Sequence, residues 1–329
     1  MSEQRRFVHI LDDLAMGGVT RALKNFETPV LAGLGQHESI DIRKTSARAQ
    51  NANDVAVVHF TANWRKLGWL LDLRLRGGFS RTILIEHSYT EGYEASEVVP
   101  KRRFRQMLRL AYRLVDQVVA VSNAQREWML HHKLAKADKI VAIPQSRLCD
   151  ELLSIAPCKR DFGPLQIRAF GRFHKQKGFD LLVKAMARVP STVAQLKIAG
   201  TGPDTTYLQT LARDLDHVEI CDPFSSPIAF ISDADLVAIP SRWEAFGLVG
   251  TEARAAGRPI LAATVDGLRD QLDEDGFAHE PGSVSSLVDA IYRSANARDI
   301  NARGLSSRER ATTEFDLMVE RWHALLSEA

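Results

Sequence analysis

Residues 241–257 of the chain read SRWEAFGLVGTEARAAG, and this stretch decides the fold. It lies between two short apolar runs, Asp235–Pro240 (DLVAIP) and Pro259–Ala263 (PILAA). A strand, a short loop, a helix and a second strand form a βαβ unit, so we expect a parallel sheet covered by helices. Gly257 suits the left-handed position that follows the last turn of such a helix.

Two glutamates lie near the start of this predicted helix, Glu244 on the loop and Glu252 on the helix. Ligands bind where a parallel strand leads into the next helix, and the open amides of Phe246, Gly247 and Leu248 favour an anion such as phosphate. Carboxylates beside an anion site would bind hydroxyls, since each accepts two charge-assisted O–H bonds. A site with one carboxylate for a ribose, one carboxylate for a second sugar and a phosphate position between them would suit a nucleotide-sugar. The alternative is a surface helix with two solvated glutamates.

The composition indicates a soluble protein of two domains. The chain has 329 residues, of which 45% are apolar and 26% are charged, and no apolar run approaches the roughly 18 residues that span a bilayer. The three cysteines match no metal or disulfide spacing and are typical of reduced thiols in a cytoplasmic protein. Residues 1–160 contain 25 Lys and Arg against 17 Asp and Glu, whereas the remainder contains 18 against 24. This asymmetry indicates that the two domains have different partners.

The alternation of strands and helices occurs twice along the chain. The predicted strands of the first sheet are β-branched runs at Phe7–Leu11, Ser39–Ile42, Val55–Phe60, Thr82–Ile85, Gln117–Val121 and Ile140–Ile143. Helices are expected between them at Thr20–Leu34, Lys66–Arg76, Arg102–Leu114 and Asn123–Lys133. After the predicted linker Ala156–Pro164, the second sheet is expected at Leu165–Phe170, Ala194–Ala199, Val218–Cys221, Asp235–Pro240 and Pro259–Ala263. We therefore expect two doubly wound domains, residues 1–160 and 161–314.

Three smaller features of the first half follow predicted strands. Gly17 and Gly18 form a glycine pair that opens a helix, although such a pair is more often only a turn. His87 comes directly after the fourth strand, where an ordinary surface histidine is the simpler interpretation. Ser122 lies between the fifth strand and a helix, where it would be either a ligand-binding residue or, equally well, the N-cap of that helix.

Two loops of the second half carry charge or glycine. Arg172 and Lys177 lie between a strand and a helix, where two fixed cations can neutralise a diphosphate, although a charged surface loop is the alternative. Gly200 and Gly202 occur in the sequence GTGP. The third glycine of a dinucleotide fingerprint is missing there, which argues against a dehydrogenase.

These motifs together resemble glycosyltransferase family 4. The string EAFGLVGTEARAAGRPI (244–260) is similar to the glutamate-x7-glutamate element of that family, and GRFHKQKG (171–178) followed by FDLLVKA (179–185) is similar to its diphosphate clamp. The resemblance extends over nearly the whole chain and is strongest from Gly171 to Ile291. It implies a retaining enzyme with the GT-B fold, in which two Rossmann-like domains face each other across a cleft. The last helix, within 315–329, is then expected to pack back on the first domain.

The family resemblance also implies roles for individual residues. Glu244 would hold the donor sugar and Glu252 the ribose, and His87 would lie near the donor sugar and the acceptor. The expected catalytic residues are Glu244, Arg172, Lys177 and His87, and the expected donor-binding residues are Gly17, Gly18, Gly200, Gly202, Phe246, Gly247, Leu248 and Glu252. The sequence departs from the family at Asp266, where a glycine is common, and this change adds a charge near the expected sugar pocket.

No metal and no cofactor are expected beside the nucleotide-sugar, for which UDP is slightly favoured over GDP. Asp233-Ala234-Asp235 has the D-x-D form of metal-dependent transferases, but Asp235 begins a predicted strand. Arg172 and Lys177 already supply the positive charge that a leaving diphosphate needs.

The stretch Lys101–Arg113 contains six basic residues and has apolar residues at helical spacing. One interpretation is an amphipathic helix whose arginines cover the sheet and pair with nearby carboxylates. The alternative is a basic face that binds anionic lipid headgroups, so that a cytoplasmic protein would associate peripherally with the inner membrane surface.

The function expected from the sequence is transfer of a hexose-type sugar from a nucleotide-diphosphate sugar to a glycan or a polyprenyl-linked acceptor, in surface polysaccharide or glycoconjugate synthesis. Two alternatives stay open: a non-catalytic nucleotide-sugar-binding subunit of a transferase complex, and a nucleotide-sugar epimerase of the GT-B fold. Nucleic-acid binding is not expected, because the basic residues form no recognisable module and only 7% of the residues are aromatic.

Overall fold

The computed structural model describes residues 5–14, 18–148, 150–160, 163–224 and 226–328. The chain divides into two compact units, unit 1 with Met1–Gln145 and Asp316–Ala329 and unit 2 with Ser146–Phe315. Each unit is built around a six-stranded sheet in which all neighbouring strands are parallel. The predicted α/β class with two parallel sheets is therefore confirmed. The described residues of Ala156–Pro164, the predicted linker, belong to unit 2.

The sheet of unit 1 has the strand order β2-β1-β3-β4-β5-β6. Its strands are β1 (Arg6–Leu11), β2 (Gln36–Asp41), β3 (Val55–Val58), β4 (Arg81–Glu86), β5 (Gln117–Ala120) and β6 (Ile140–Ala142). Every residue of β3 and β5 is buried, whereas the edge strand β2 is largely exposed or half-buried. Continuous apolar runs therefore predict the central strands well, because helices cover them on both faces.

Three helices of unit 1 match predicted ones, whereas the first predicted helix is interrupted and α4 was not predicted. They are α1 (Gly18–Ala22), α2 (Pro29–Ala32), α3 (Leu67–Arg76), α4 (Glu91–Glu97), α5 (Lys101–Arg113) and α6 (Asn123–His131). The helix expected at Thr20–Leu34 is interrupted between a short 3-10 turn and α2. Thr28 there has the extended ψ of 143°, because the ring of Pro29 disfavours a helical conformation for the preceding residue.

The sheet of unit 2 has the strand order β12-β11-β10-β7-β8-β9. Its strands are β7 (Leu165–Phe170), β8 (Ala194–Ala199), β9 (Val218–Cys221), β10 (Leu236–Ile239), β11 (Ile260–Ala263) and β12 (Phe277–His279). The sequence analysis missed β12, since its three residues, FAH, contain no apolar run. Pairing with β11 makes it a strand, so it could be recognised only from the tertiary structure.

The helices of unit 2 are α7 (Asp150–Leu153), α8 (Phe179–Met186), α9 (Thr205–Ala212), α10 (Pro227–Ser232), α11 (Leu248–Ala255), α12 (Val284–Asn296) and α13 (Ile300–Ser327). Gly257 follows α11 with a φ of 69°, as predicted. The last helix begins at Ile300, well before the expected start, and its residues from Asp316 onward belong to unit 1. There Trp322 packs edge-on against Phe26, with 5.0 Å between the ring centroids.

Four histidines cross the sheet of unit 1 as a continuous hydrogen-bonded row. Going from β2 across β1 to the loops that follow β3 and β4, this histidine row contains His37, His9, His59 and His87. The Nδ1 of each ring faces the Nε2 of the next, at 2.9, 2.9 and 3.2 Å. The two middle rings are buried and the two end rings are partly exposed.

Burial keeps the rings of the histidine row neutral. It lowers the pKa of His9 to about 3 and that of His87 to about 4, and it lowers the pKa of His37 and, strongly, of His59. Within the described ranges no carboxylate forms a hydrogen bond or an ion pair with any of these rings, so a proton on them has no counter-charge in contact.

Acid is predicted to destabilise unit 1 through these rings. An unfolded histidine has a pKa near 6.5, so below that pH the unfolded chain binds protons that the folded row does not, at about 1.4 kcal/mol per pH unit for each ring. The free energy of unfolding is therefore unaffected by these rings above about pH 6.5, and it decreases as the pH falls from there toward the folded pKa values. Urea unfolding at about pH 7 and about pH 5.5 should show a smaller acid-induced loss in His9→Phe than in the wild type. Equal losses in the two proteins would contradict this assignment.

Candidate functional site

The Lys177 ammonium and the Glu244 carboxylate form an ion pair in unit 2. Lys177 Nζ lies 2.5 Å from Glu244 Oε2, and Ser241 Oγ donates to the same oxygen at 3.3 Å. The two side chains are 22% and 12% exposed, so a ligand can reach a pair whose geometry is held by the protein. Lys177 lies on the loop after β7 and Glu244 on the loop after β10, and these strands are neighbours in the sheet.

A bidentate ion pair between Arg242 and Asp180 holds these two loops together. The guanidinium nitrogens lie 2.8 and 2.9 Å from the two carboxylate oxygens, and the Arg242 amide donates to the Gln176 carbonyl at 2.7 Å. Burial by itself would raise the pKa of the Asp180 carboxyl, but the hydrogen bonds and charge of Arg242, together with Lys184, hold that pKa below its ordinary value. Neither partner was predicted from the sequence as a site residue. The available signal was their opposite charges, Arg242 on the loop after β10 and Asp180 in the first turn of α8, the helix that follows β7.

Gly200 and Gly202 lie against the backbone of the loop that carries Lys177. A Cβ at position 200 would be 1.9 Å from the Gly171 carbonyl oxygen, and a Cβ at position 202 would be 2.2 Å from the Phe173 carbonyl oxygen. A side chain at either position would therefore push the two loops apart. The glycine turn after β8 supports the loop after β7 by close packing.

The N-terminus of α11 has open amides beside this ion pair. Gly247 caps the helix with a φ of 92°, which a glycine adopts without a steric penalty. Within the described part of the chain, no group accepts a hydrogen bond from the amides of Phe246, Gly247 or Leu248. Gln271 Nε2 bonds the carbonyl oxygens of Phe246 and Gly247 at 2.6 and 3.2 Å. The carbonyls are thus satisfied, while the amides stay open for an anion.

Asp266 supports the Glu244 loop through its backbone. The residue is buried with a φ of 41°, and its Oδ2 accepts a hydrogen bond from the Glu244 amide at 3.1 Å. The next amide, of Gly267, donates to the Glu244 carbonyl at 3.0 Å. The carboxylate at the position where the sequence departs from the family pattern therefore helps to hold the loop of Glu244.

Arg172 and Glu252 differ in how the protein holds them. Arg172 is exposed and has no ion-pair or hydrogen-bond partner among the residues that the structure describes. Glu252 is 2% exposed, and Arg147 Nη1 forms an ion pair with its Oε1. For Glu252 Oε2 the described ranges contain no partner. The sequence analysis missed Arg147, which lies before α7 and belongs to no motif.

Of the expected site residues in the first half of the chain, Gly18 and His87 are described by the structure and Gly17 is not. Gly17 falls in the range that the structure does not describe, and Gly18 is the first residue of α1. His87 is partly exposed, and its two ring nitrogens bond His59 and Gln145. Ser122 is the N-cap of α6, where its Oγ accepts from the Gln125 amide at 3.1 Å. For Ser122 the capping interpretation is therefore confirmed.

The basic helix α5 uses much of its charge within unit 1. Arg105 makes two hydrogen bonds of 2.6 and 2.8 Å to the buried carboxylate of Glu94, and Arg109 donates to the carbonyl oxygens of His132 and Lys133. Arg103 lies over the ring of Trp64. These contacts favour the interpretation that α5 covers the sheet, and they leave fewer than six charges for an anionic surface.

The second aspartate of the D-x-D sequence makes structural contacts within unit 2. Asp235 Oδ2 accepts a hydrogen bond from the backbone N–H of Gln166 at 2.8 Å, and Arg160 Nε lies 3.6 Å from the same oxygen. Among the residues that the structure describes, no group of three or more His, Cys, Asp or Glu side chains could hold a metal ion. A search of the same residues found no helix that is long and apolar enough to cross a membrane.

Comparison with protein families identifies the segment that contains this site. The family model described as glycosyl transferases group 1 matches residues 165–296. A glycogen synthase of Mycobacterium tuberculosis is 30% identical over 172 residues, which are 47% of this chain and 40% of that protein. A D-inositol 3-phosphate glycosyltransferase of Corynebacterium glutamicum is 32% identical over 234 residues, or 62% of this chain and 54% of that protein. The chain thus spans about half or less of the length of these relatives.

Solved structures match over the whole chain. HepE of Anabaena in complex with UDP superimposes with a TM-score of 0.73 and 17% identity, over 99% of this chain and 100% of that one. A sucrose-phosphate synthase of Thermosynechococcus elongatus superimposes with a TM-score of 0.76 and 19% identity, over 99% of each chain. Residues 165–296 therefore match the family of glycosyl transferases group 1, and the two parallel sheets of the chain have the fold class of the GT-B glycosyltransferases.

Proposed function

We propose that the chain is a retaining glycosyltransferase that moves a hexose-type sugar from a nucleotide-diphosphate sugar to a glycan or lipid-linked acceptor, in surface polysaccharide or glycoconjugate synthesis. The observation that carries this proposal is the Lys177–Glu244 ion pair beside the open amides of α11. It combines, in one place, a cation, a carboxylate and backbone donors. These are the groups that a sugar joined to a diphosphate requires.

The phosphate side of the proposed site uses fixed positive groups. An ammonium has three N–H donors, and Lys177 gives one to Glu244, so two can reach phosphate oxygens. The exposed guanidinium of Arg172 has a planar fork that suits the same group. The open amides at the start of α11 add backbone donors at a helix N-terminus, which attracts anions. Together these groups would stabilise the negative charge that develops on the leaving diphosphate.

The sugar side of the proposed site uses one oxygen of each glutamate. Both described partners of Glu244, Lys177 and Ser241, bond its Oε2, which leaves Oε1 for the hydroxyls of the donor sugar. Arg147 bonds Oε1 of Glu252, which leaves Oε2 for the ribose. Each carboxylate would therefore be held by a protein cation and would present its other oxygen to the ligand.

The proposed chemistry needs no nucleophile from the protein and no metal ion. The bond between the anomeric carbon and the phosphate oxygen breaks, and the acceptor hydroxyl attacks on the same face. The leaving phosphate takes the hydroxyl proton, so that the products are the glycoside and the nucleoside diphosphate. The protein supplies orientation and positive charge.

We assign the donor to unit 2 and the acceptor to unit 1, with residues 1–160 and 161–314 as the two functional domains. The structures of HepE are complexes with UDP and with UDP-glucose, which supports a UDP-sugar as the donor here. In unit 1, His87 and the glycine pair at positions 17 and 18 are the proposed contacts to the transferred sugar and the acceptor. A cytoplasmic location is part of the same proposal and is supported by three cysteines whose spacing matches no disulfide pattern.

Two other functions remain as alternatives, a non-catalytic nucleotide-sugar-binding subunit and a GT-B epimerase. Each would bind the donor, so binding alone does not separate them from a transferase. Release of UDP that depends on an acceptor argues for transfer, and conversion of the free nucleotide-sugar argues for epimerisation.

Replacing Lys177 or Arg172 by Ala is predicted to abolish most transfer while the fold stays intact. Removing one preorganised charge from a transition-state phosphate costs about 3–4 kcal/mol, or roughly a hundredfold or more in rate. The measurement is acceptor-dependent release of UDP from UDP-glucose in buffer containing EDTA, with Lys175→Ala as the matched control on the same loop. Unchanged turnover in both variants would remove the diphosphate assignment, and loss of wild-type turnover in EDTA alone would remove the metal-free assignment.

The two glutamates are predicted to act on different parts of the donor. Glu252→Ala should weaken binding of both UDP and UDP-glucose, because the ribose is common to the two ligands. Glu244→Ala should spare UDP and weaken UDP-glucose by about 1.5–3 kcal/mol, the contribution of a hydrogen bond to a charged group. Calorimetric titration measures both ligands, with Glu309→Ala on the exposed face of α13 as the control. Equal losses for UDP and UDP-glucose in both variants would refute this division.

Membrane association through α5 is a separate part of the proposal. The residues of α5 that are exposed and charged are Lys101, Arg102, Arg103 and Arg113, and each basic residue near an anionic leaflet contributes about 1 kcal/mol, weakened by salt. The wild type is predicted to sediment with anionic vesicles at low salt, and a variant with Glu at positions 101, 102 and 113 should not. Arg105 is left unchanged in that variant because it pairs with Glu94. Absence of wild-type binding at low salt would point to a soluble acceptor.

A further inference from the structure

The two ends of the histidine row contact groups with opposite hydrogen-bonding character. At one end, His37 Nε2 lies 3.2 Å from the backbone carbonyl oxygen of Leu31. At the other end, His87 Nδ1 lies 2.8 Å from the side-chain amide nitrogen of Gln145. A carbonyl oxygen can only accept a hydrogen bond, and an amide nitrogen can only donate one.

These ends determine which nitrogen of every ring carries its proton. A neutral imidazole has one donor and one acceptor nitrogen. Because Leu31 can only accept, His37 carries its proton on Nε2, and its bare Nδ1 must receive a proton from His9 Nε2. The bare Nδ1 of His9 must in turn receive a proton from His59 Nε2, and the bare Nδ1 of His59 must receive one from His87 Nε2. His87 therefore carries its proton on Nε2 and has a bare Nδ1. The Gln145 nitrogen at that end is the donor that a bare Nδ1 requires, so both ends agree.

The opposite arrangement of protons has no such agreement. If every proton moved to Nδ1, the bare Nε2 of His37 would face the Leu31 carbonyl oxygen, with two acceptors opposed. His87 Nδ1–H would then face the Gln145 amide nitrogen, a conflict that turning this amide over would remove, whereas the Leu31 carbonyl oxygen stays an acceptor in any arrangement. An additional proton on His37 would remove the first conflict, but burial lowers the pKa of that ring, and no carboxylate among the described residues bonds it.

We infer that the histidine row is a tautomer relay, in which the Leu31 carbonyl acts through His37, His9 and His59 to fix the proton of His87 on Nε2. His87 then offers a lone pair at Nδ1, at the partly exposed end of the row beside Gln145. A group that replaces the Gln145 amide there must be a hydrogen-bond donor, which a sugar hydroxyl is and a fully ionised phosphate oxygen is not. This role in substrate selection rests on the proposed function, in which His87 contacts a sugar. The other three histidines are positioning residues.

Nitrogen-15 NMR of the imidazoles of the unliganded protein tests the relay directly. The expected result is four neutral rings, each protonated at Nε2, with couplings through the three N–H···N hydrogen bonds. This measurement needs neither substrate nor activity. Absence of these couplings, or a proton on Nδ1 of His87, would overturn the relay even if every variant failed to fold.

Two substitutions at His37 separate a relay from simple packing. His37→Phe keeps a ring against Phe7 but removes the link to Leu31. The Gln145 amide can turn to suit either direction of the row, so His87, which does not contact position 37, should become a mixture of two tautomers. His37→Gln can donate to Leu31 and accept from His9, so it should restore the Nε2–H form of His87. His323→Phe, on an exposed position of α13, is the control. An unchanged His87 tautomer in His37→Phe would overturn the inference.

Enzyme activity of the same variants is a second measurement, independent of the NMR experiment. Acceptor-dependent release of UDP from UDP-glucose should fall by about twofold in His37→Phe, because only about half of the molecules would carry the competent tautomer, and it should recover in His37→Gln. A tautomer change without this pattern of turnover would leave the relay standing and overturn its role in substrate selection. Lack of any turnover in the wild type would count against the proposed function, while the NMR result would still decide the relay.

Discussion

The bidentate ion pair between Arg242 and Asp180 is the interaction on which the arrangement of the site in unit 2 depends. It joins the loop after β10 to the first turn of α8, directly after the loop of Lys177, and Lys177 and Glu244 lie 2.5 Å apart beside it. Isolated surface ion pairs contribute little, but this one is partly buried, has bidentate geometry and is accompanied by a backbone hydrogen bond to Gln176. Such a contact fixes position more than it adds stability. Position is what a site for a sugar diphosphate needs, since the donors must be in place before charge develops.

Close backbone packing extends the same constraint to the neighbouring loops. Gly200 and Gly202 let the turn after β8 lie against the loop of Lys177, and Gly267 brings the turn after β11 against the loop of Glu244. A Cβ at Gly267 would be 2.1 Å from the Ala245 carbonyl oxygen. The glycines of the family motif therefore have a structural reason in this chain that does not depend on a ligand. Several loops support one another, so the position of each is set by its neighbours.

Polar groups with little exposure are accommodated in two ways. Carboxylates are paired with cations, as Glu252 is with Arg147, Asp180 with Arg242 and, in unit 1, Glu94 with Arg105. In unit 1, the histidine row is neutral, because burial lowers the pKa of each ring and every ring nitrogen finds a hydrogen-bond partner. The ion pairs of unit 2 place charged groups near the position where charge develops during the proposed reaction. The neutral histidine row instead determines which nitrogen of each ring donates a hydrogen bond and which accepts one.

The sequence by itself determined the fold class, most strand positions and the residues of the Glu244 and Lys177 motifs, because these depend on local apolar runs and on spacing within one segment. Strands such as β3 and β10 are recognisable since every residue in them is buried. The interruption of the first helix was also encoded locally, in Pro29, although the prediction overlooked it. Only the tertiary structure decided what depends on contacts between distant segments: β12, the Arg242–Asp180 and Arg147–Glu252 pairs, and the histidine row. His37, His9, His59 and His87 are separated along the chain by tens of residues, and no local pattern relates them. They meet on one face of the sheet because the parallel register offsets each histidine by two residues: His9 lies two residues after Phe7, the partner of His37, and His59 lies two residues after Val57, the partner of His9. The direction of their protons follows from the Leu31 carbonyl at one end of the row.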